Sequence, residues 1–210
     1  MNEELSNVFR VQRTVFEMLR DRGFKVREED LTMDFATFKD HHAGNPQVRD
    51  ALTIETHMEN DPEDNIRVIF DNSEKRLTVK MAETAVKNNI STGTRRCIMI
   101  GRQAISPAVE QFAEKVNLTS DTRLDLFCEE ELIVNITKHV LVPLHIRLTD
   151  EQKKELFKRY RIDINNATAL PRLLKKDPVR RYYGFEKGDV IKIVRSSETA
   201  GRYISYRIVV

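Results

Sequence analysis

The apolar residues of this 210-residue chain change their spacing several times before residue 140, and that alternation restricts the fold most. Leu5, Val8, Phe9, Val15, Phe16 and Leu19 recur at three- and four-residue steps, the period of one helix face. Asp21-Arg22-Gly23 ends that helix, with Gly23 able to take a left-handed cap. Leu31, Phe35 and Phe38 predict a second, short helix ending near Ala43-Gly44-Asn45-Pro46. Leu52, Ile54 and Thr56 then alternate, as do Ile66, Val68 and Phe70, which predicts two strands joined by the polar residues 60–65. Val79, Ala82 and Val86 predict a helix stopping around Asn88-Asn89. Cys97-Ile98-Met99-Ile100 is a short apolar strand ending at Gly101. Ser106-Pro107 reads as an N-cap followed by proline at the first helical position, where its missing N–H is not needed. Val109, Phe112, Ala113 and Val116 form the apolar face behind it, and residues 124–127 predict a further strand. Strands alternating with helices predict an α/β domain over residues 1–140.

Residues 141–210 differ in style and predict a second, small α+β domain. Thr149-Asp150-Glu151-Gln152 is a capping box, and Leu156, Phe157 and Tyr160 give its helix an apolar face. Asp177-Pro178 opens another short helix, which Gly184 ends. Val190, Ile191, Ile193 and Val194 form a strand, residues 196–201 a turn, and the alternation from Tyr203 to Val210 a closing strand. About 65 residues is near the lower limit for independent stability, so docking onto a partner is expected to strengthen this domain. Charge divides the chain in the same region. Residues 1–144 carry 19 Lys+Arg against 25 Asp+Glu, whereas residues 145–210 carry 16 against 8. The basic part is expected to meet something acidic, either a nucleic acid or an acidic protein surface.

Several classes of chemistry lack their residues. The longest apolar run is about four residues, far short of the roughly 20 a membrane helix needs. Met1-Asn2-Glu3-Glu4 shows no apolar leader, so Cys97 and Cys128 are expected as reduced thiols of an intracellular protein. Cys97 reads as an inert core thiol, and Glu129-Glu130-Glu131 beside Cys128 disfavour a thiolate. The five histidines form no His-Glu-x-x-His arrangement, so no metal is assigned, and His41-His42 reads as a solvated loop. Glycine-rich phosphate loops are missing, and no cofactor is expected. Glu129-Glu130-Glu131 reads as a solvated acidic face, and the Asn135-Ile136-Thr137 sequon as chance. Lys175-Lys176 and Arg180-Arg181, with Tyr182-Tyr183, leave nucleic acid and acidic protein open as partners.

The string from Asp177 to Gly184, continued by Lys187-Gly188-Asp189-Val190-Ile191-Lys192-Ile193-Val194-Arg195, is too long for a chance motif. With Ser197-Glu198-Thr199-Ala200-Gly201-Arg202-Tyr203-Ile204-Ser205-Tyr206-Arg207, it closely resembles the fifth subunit shared by the eukaryotic nuclear RNA polymerases, whose C-terminal domain is similar to a subunit of archaeal RNA polymerase. The likeness extends through residues 132–139 and 141–143, and returns at Asp21-Arg22-Gly23-Phe24 and Ile105-Ser106-Pro107-Ala108. It implies an N-terminal jaw domain with a restriction-endonuclease-like fold and a C-terminal assembly domain packed on the largest polymerase subunit. The implied role is noncatalytic, in the nucleus and away from membranes, beside other polymerase subunits and downstream duplex DNA, with room for transcription factors. Arg102, Gln103, Ser106 and Pro107 are expected near DNA; Arg180, Arg181, Tyr182, Arg195, Arg202, Tyr203 and Arg207 are expected to dock the partner. The alternative is a metal-dependent nuclease on the endonuclease-like fold. That chemistry needs Glu-x-Lys at the sheet, and the expected strands 52–56, 66–70 and 97–100 contain none.

Overall fold

A computed structural model describes residues 2–42, 47–162, 169–197 and 201–210. They form two compact units, Met1–Val134 and Asn135–Val210. The division falls ahead of residue 140 because Asn135 belongs to the second unit: its side-chain amide donates to the Tyr182 hydroxyl at 3.0 Å. Asn135 also caps the single turn Ile136–Lys138 by accepting from the Thr137 N–H, so the sequon asparagine is a buried structural residue.

In the first unit, α1 (Asn2–Asp21) buries the expected Val8, Val15, Phe16 and Leu19, together with Val11 and Met18. Gly23 takes φ +89°, and the Gly23 and Phe24 N–H groups return to the Arg20 and Leu19 carbonyls. Those two bonds close the helix as a left-handed cap does. The one helix expected around Leu31 to Phe38 is instead two, α2 (Glu28–Thr32) and α3 (Phe35–His41). Asp34 separates them by accepting from the Thr37 N–H at 2.9 Å, which starts a new helix. The expected end at residues 43–46 lies outside the described residues. An unanticipated turn of helix, α4 (Val48–Ala51), uses Leu52 as its cap, so β1 is Ile54–His57 and starts later than expected.

β1 runs antiparallel to β2 (Asn65–Phe70), while β3 (Arg96–Gly101) and β4 (Arg123–Cys128) follow in parallel, giving the order β1-β2-β3-β4. α5 (Val79–Thr92) and α6 (Pro107–Thr119) are the connections that parallel strands require. α5 continues past Asn89 until Gly93 turns left-handed at φ +69°. Ala82, Val86, Val109, Ala113 and Val116 pack on Cys97, Met99 and Leu124. Ile98 and Ile100 fall on the other face of β3 and are also fully buried, so the central strand is apolar throughout. α7 (Glu129–Leu132) follows β4 directly.

The second unit has a four-stranded sheet rather than a lone hairpin. Its order is β5 (Leu144–Arg147), β7 (Val190–Ser197), β8 (Gly201–Val209), β6 (Arg172–Leu173). β7 and β8 pair as far as Ser197 and Gly201, taking in three of the six residues expected as a turn; residues 198–200 lie outside the described residues. α8 (Asp150–Tyr160) carries the expected capping box and lays Leu156 and Phe157 against Val190 and Ile208. Leu173, Phe185, Ile191, Ile193 and Val209 form a separate core cluster. Tyr160 is not part of α8's buried face: it is 57% exposed and meets the edge of Tyr206. α9 (Pro178–Tyr183) starts on Asp177 and ends on left-handed Gly184, as its sequence predicts.

Candidate functional site

Arg102, Gln103, Ser106 and Pro107 share the loop between β3 and α6. Arg102 is held by Glu4 of α1 at 2.8 Å and stands 3.8 Å from Glu74. Glu4 also accepts from Arg49, which in turn grips Glu129 at 2.6 Å. The result is an alternating series, Glu129–Arg49–Glu4–Arg102–Glu74. Burial disfavours the Arg49 cation, but hydrogen bonds and charge from Glu129 and Glu4 outweigh it and raise its pKa. Glu129 is therefore an anchor for a buried arginine and not part of a solvated acidic face, and Glu131 accepts from the Cys128 N–H. Arg102 has its charge largely answered inside the unit. Arg102→Glu would set a carboxylate beside Glu4 and Glu74, a like-charge cluster that works against folding.

Gln103 donates its side-chain amide to the Glu74 carbonyl at 2.6 Å. Ser106 and Pro107 take the N-cap and first helical positions, but the Ser106 hydroxyl accepts no capping bond. Its carbonyl accepts instead from the Val109 and Glu110 N–H groups. The first turn keeps little donor capacity for a phosphate, because Pro107 has no N–H to offer.

Cys97, Cys128 and His42 of this unit are structural. Burial pushes the Cys97 thiol up to about 11, and burial with the neighbouring glutamates raises Cys128 as well. His42 is not a solvated loop residue: it packs on Phe38 at 4.6 Å, and burial lowers its pKa, helped by the His41 charge. Among the described residues, no three His, Cys, Asp or Glu side chains cluster as a cation site, and no helix is long and apolar enough to cross a membrane.

In the second unit the expected docking residues separate by environment. Tyr182 is a core residue, 3% exposed, with its hydroxyl bonded to Asn135 and its ring edge-on to Tyr183. It therefore presents nothing to a partner. Arg180 and Arg181 are half-buried, and Arg180 donates to the Lys175 carbonyl at 2.8 Å. Arg195, Arg202 and Tyr203 are exposed on β7 and β8, and Arg207 is half-buried. Among the described residues no carboxylate pairs with Arg195, Arg202 or Arg207.

A further feature of this unit is not legible in the sequence. Leu144 faces Val194 across β5 and β7, and Val194 faces Ile204 across β7 and β8. This cross-strand apolar row leaves Leu144 57% and Ile204 44% exposed. No single strand reveals it, because each contributes one residue. The only local signal is the apolar stretch Leu141-Val142-Pro143-Leu144 in a segment that buries little.

The family model for the RNA polymerase Rpb5 N-terminal domain matches residues 2–88, and that for the Rpb5 C-terminal domain matches residues 134–209. The chain belongs to the Rpb5 family. It is 36% identical to "DNA-directed RNA polymerases I, II, and III subunit RPABC1" of Caenorhabditis briggsae and of Caenorhabditis elegans, over 99% of its length and 97% of theirs. It is also 36% identical to the subunit of the same name from Dictyostelium discoideum, over 99% of this chain and all of that one. The Rpb5 C-terminal match begins one residue before the second structural unit, so the apolar row and the three arginines lie wholly inside it. The loop bearing Arg102 falls between the two Rpb5 matches.

Proposed function

We propose that this chain is a noncatalytic subunit common to nuclear DNA-directed RNA polymerases, docked through its second unit on the largest subunit. Whole-length likeness to subunits of that name supports the reading. The observation that carries the docking is the exposed row Leu144–Val194–Ile204, with Arg202 on the same sheet face. Protein interfaces combine an apolar centre with arginine, whose fork grips carboxylates in two places.

The first unit is the jaw, set beside downstream duplex. Residues 1–144 carry more acid than base, and DNA affinity comes from Lys and Arg that neutralise phosphates. Arg102 is already held by Glu4. The jaw thus restrains duplex by the position of the loop carrying Gln103, Ser106 and Pro107 and not by charge or free donors, while the rest of the polymerase supplies the attraction. Transcription factors have the remaining acidic surface available.

Affinity purification of the tagged chain from nuclei tests the reading. The largest subunits of nuclear polymerases should co-purify in near-equal amount with it. Recovery of the chain without them would overturn it.

A further inference from the structure

Arg195 and Arg207 line a pocket of about 300 Å3 in the second unit, and docking through the apolar row makes no use of it. The register explains how they come together. Arg207 faces Ile191, and Arg195 lies four residues further along β7 with Ile193 between them. The two-residue period of a strand puts all of these on one sheet face, opposite the face of Leu144, Val194 and Ile204.

The pocket has an unbalanced charge. Among the described residues neither arginine has a carboxylate partner. Asp177 is the one acid lining the pocket, and its Oδ1 already accepts from the Val179 and Arg180 N–H groups as the cap of α9. His145 Nδ1 lies 2.7 Å from the Pro143 carbonyl. A carbonyl can only accept, so that nitrogen carries the proton. The rest of the lining is apolar: Ile193 lies beneath, and Leu141, 83% exposed, forms the rim.

We propose that this pocket receives a glutamate or aspartate side chain carried on an apolar segment of a polymerase subunit. The carboxylate lies between Arg195 and Arg207, and the flanking aliphatic residue covers Leu141. The inference rests on the docking reading and adds the chemistry of the group recognised. The exposed aliphatic rim favours protein over nucleic acid, since a phosphate backbone has no apolar group to cover it.

The test uses the full tagged chain in cells. Arg195→Gln with Arg207→Gln should lower recovery of the largest subunit per tagged chain by roughly tenfold or more, because the partner's carboxylate is left buried without its charges. Lys158→Gln, an exposed charge loss on α8, should change recovery little, and matched melting curves of the purified chains check that folding is intact. A photo-crosslinking residue in place of Leu141 should label a polymerase-subunit peptide with an acidic residue within a few positions. Equal recovery for the double variant and Lys158→Gln overturns the pocket, as does a label on nucleic acid or on a peptide lacking acid. If the wild-type chain brings down no polymerase subunit, the docking reading fails, and the pocket proposal fails with it.

Discussion

Arg49 is a nearly buried arginine held by two carboxylates. Its side chain is 8% exposed, between Glu129 at 13% and Glu4 at 51%. Removing one member of such a pair leaves a charge without its counterion in a poorly solvated place. Arg49→Ala should therefore destabilise the unit by on the order of 3 kcal/mol, read as a lower urea midpoint. An unchanged midpoint would mean that water reaches Glu129 easily. Histidines govern a separate response to pH. Burial holds His42 and His145 below the ordinary value of 6.5; for His145, Arg195 and Arg207 add to the effect, while Pro143 and Asp177 oppose it. The unfolded chain then binds more protons than the folded one just below that value. Stability is thus present above pH 6.5 and is lost as pH falls through the folded values. The urea midpoint should fall between pH 7.5 and 5.5, and His145→Gln should make the fall smaller. Asp34 and Glu151 are held below their ordinary values by bonds to Thr37 and Thr149, so they act only at more acid pH.

At the scale of elements, the caps decide where helices begin and end, and they are not equivalent. Asp34, Thr149 and Asp177 each accept from a backbone N–H of the following turn. Ser106 does not, so its hydroxyl adds little to α6. Ser106→Ala should cost only a few tenths of a kcal/mol, against about 1 kcal/mol for Thr149→Ala, as measured by thermal melting. An equal loss at both would show that Ser106 caps in solution. The caps at Thr149 and Asp177 were legible in the sequence because each joins residues two or three apart, whereas Asp34 was hidden inside what reads as one helical face. β5 and β6 were not legible. β5 has one apolar face and is an edge strand, and β6 is two residues paired with Ile208 and Val209, more than thirty positions away. Their strand character exists only through the neighbour.

For the whole molecule, β8 matters because it pairs with β7 on one side and β6 on the other. A chain ending after Arg195 loses that strand and orphans the backbone groups of two others, each costing roughly 1–3 kcal/mol where buried. The second unit should unfold, and the largest polymerase subunit should no longer co-purify. Co-purification at the full-chain level would reject this. The first unit has its own sheet and core clusters and should keep its helical circular dichroism.

The sequence by itself determined the order of periods, the helix ends at Gly23, Thr149, Asp177 and Gly184, the two-part organisation and the family. All of these are written in neighbouring residues or in long contiguous strings. Only the tertiary structure decided which charges remain available and which apolar residues remain uncovered. Arg102 meets Glu4 from 98 positions away, and Arg49 meets Glu129 from 80. Tyr182, which reads as a surface aromatic among arginines, is drawn inward by Asn135, 47 positions earlier. Leu144, Val194 and Ile204 become one exposed row only when three strands align. Local sequence sets backbone geometry through short-range sterics and hydrogen bonds, whereas solvation and charge pairing depend on whatever the fold brings alongside.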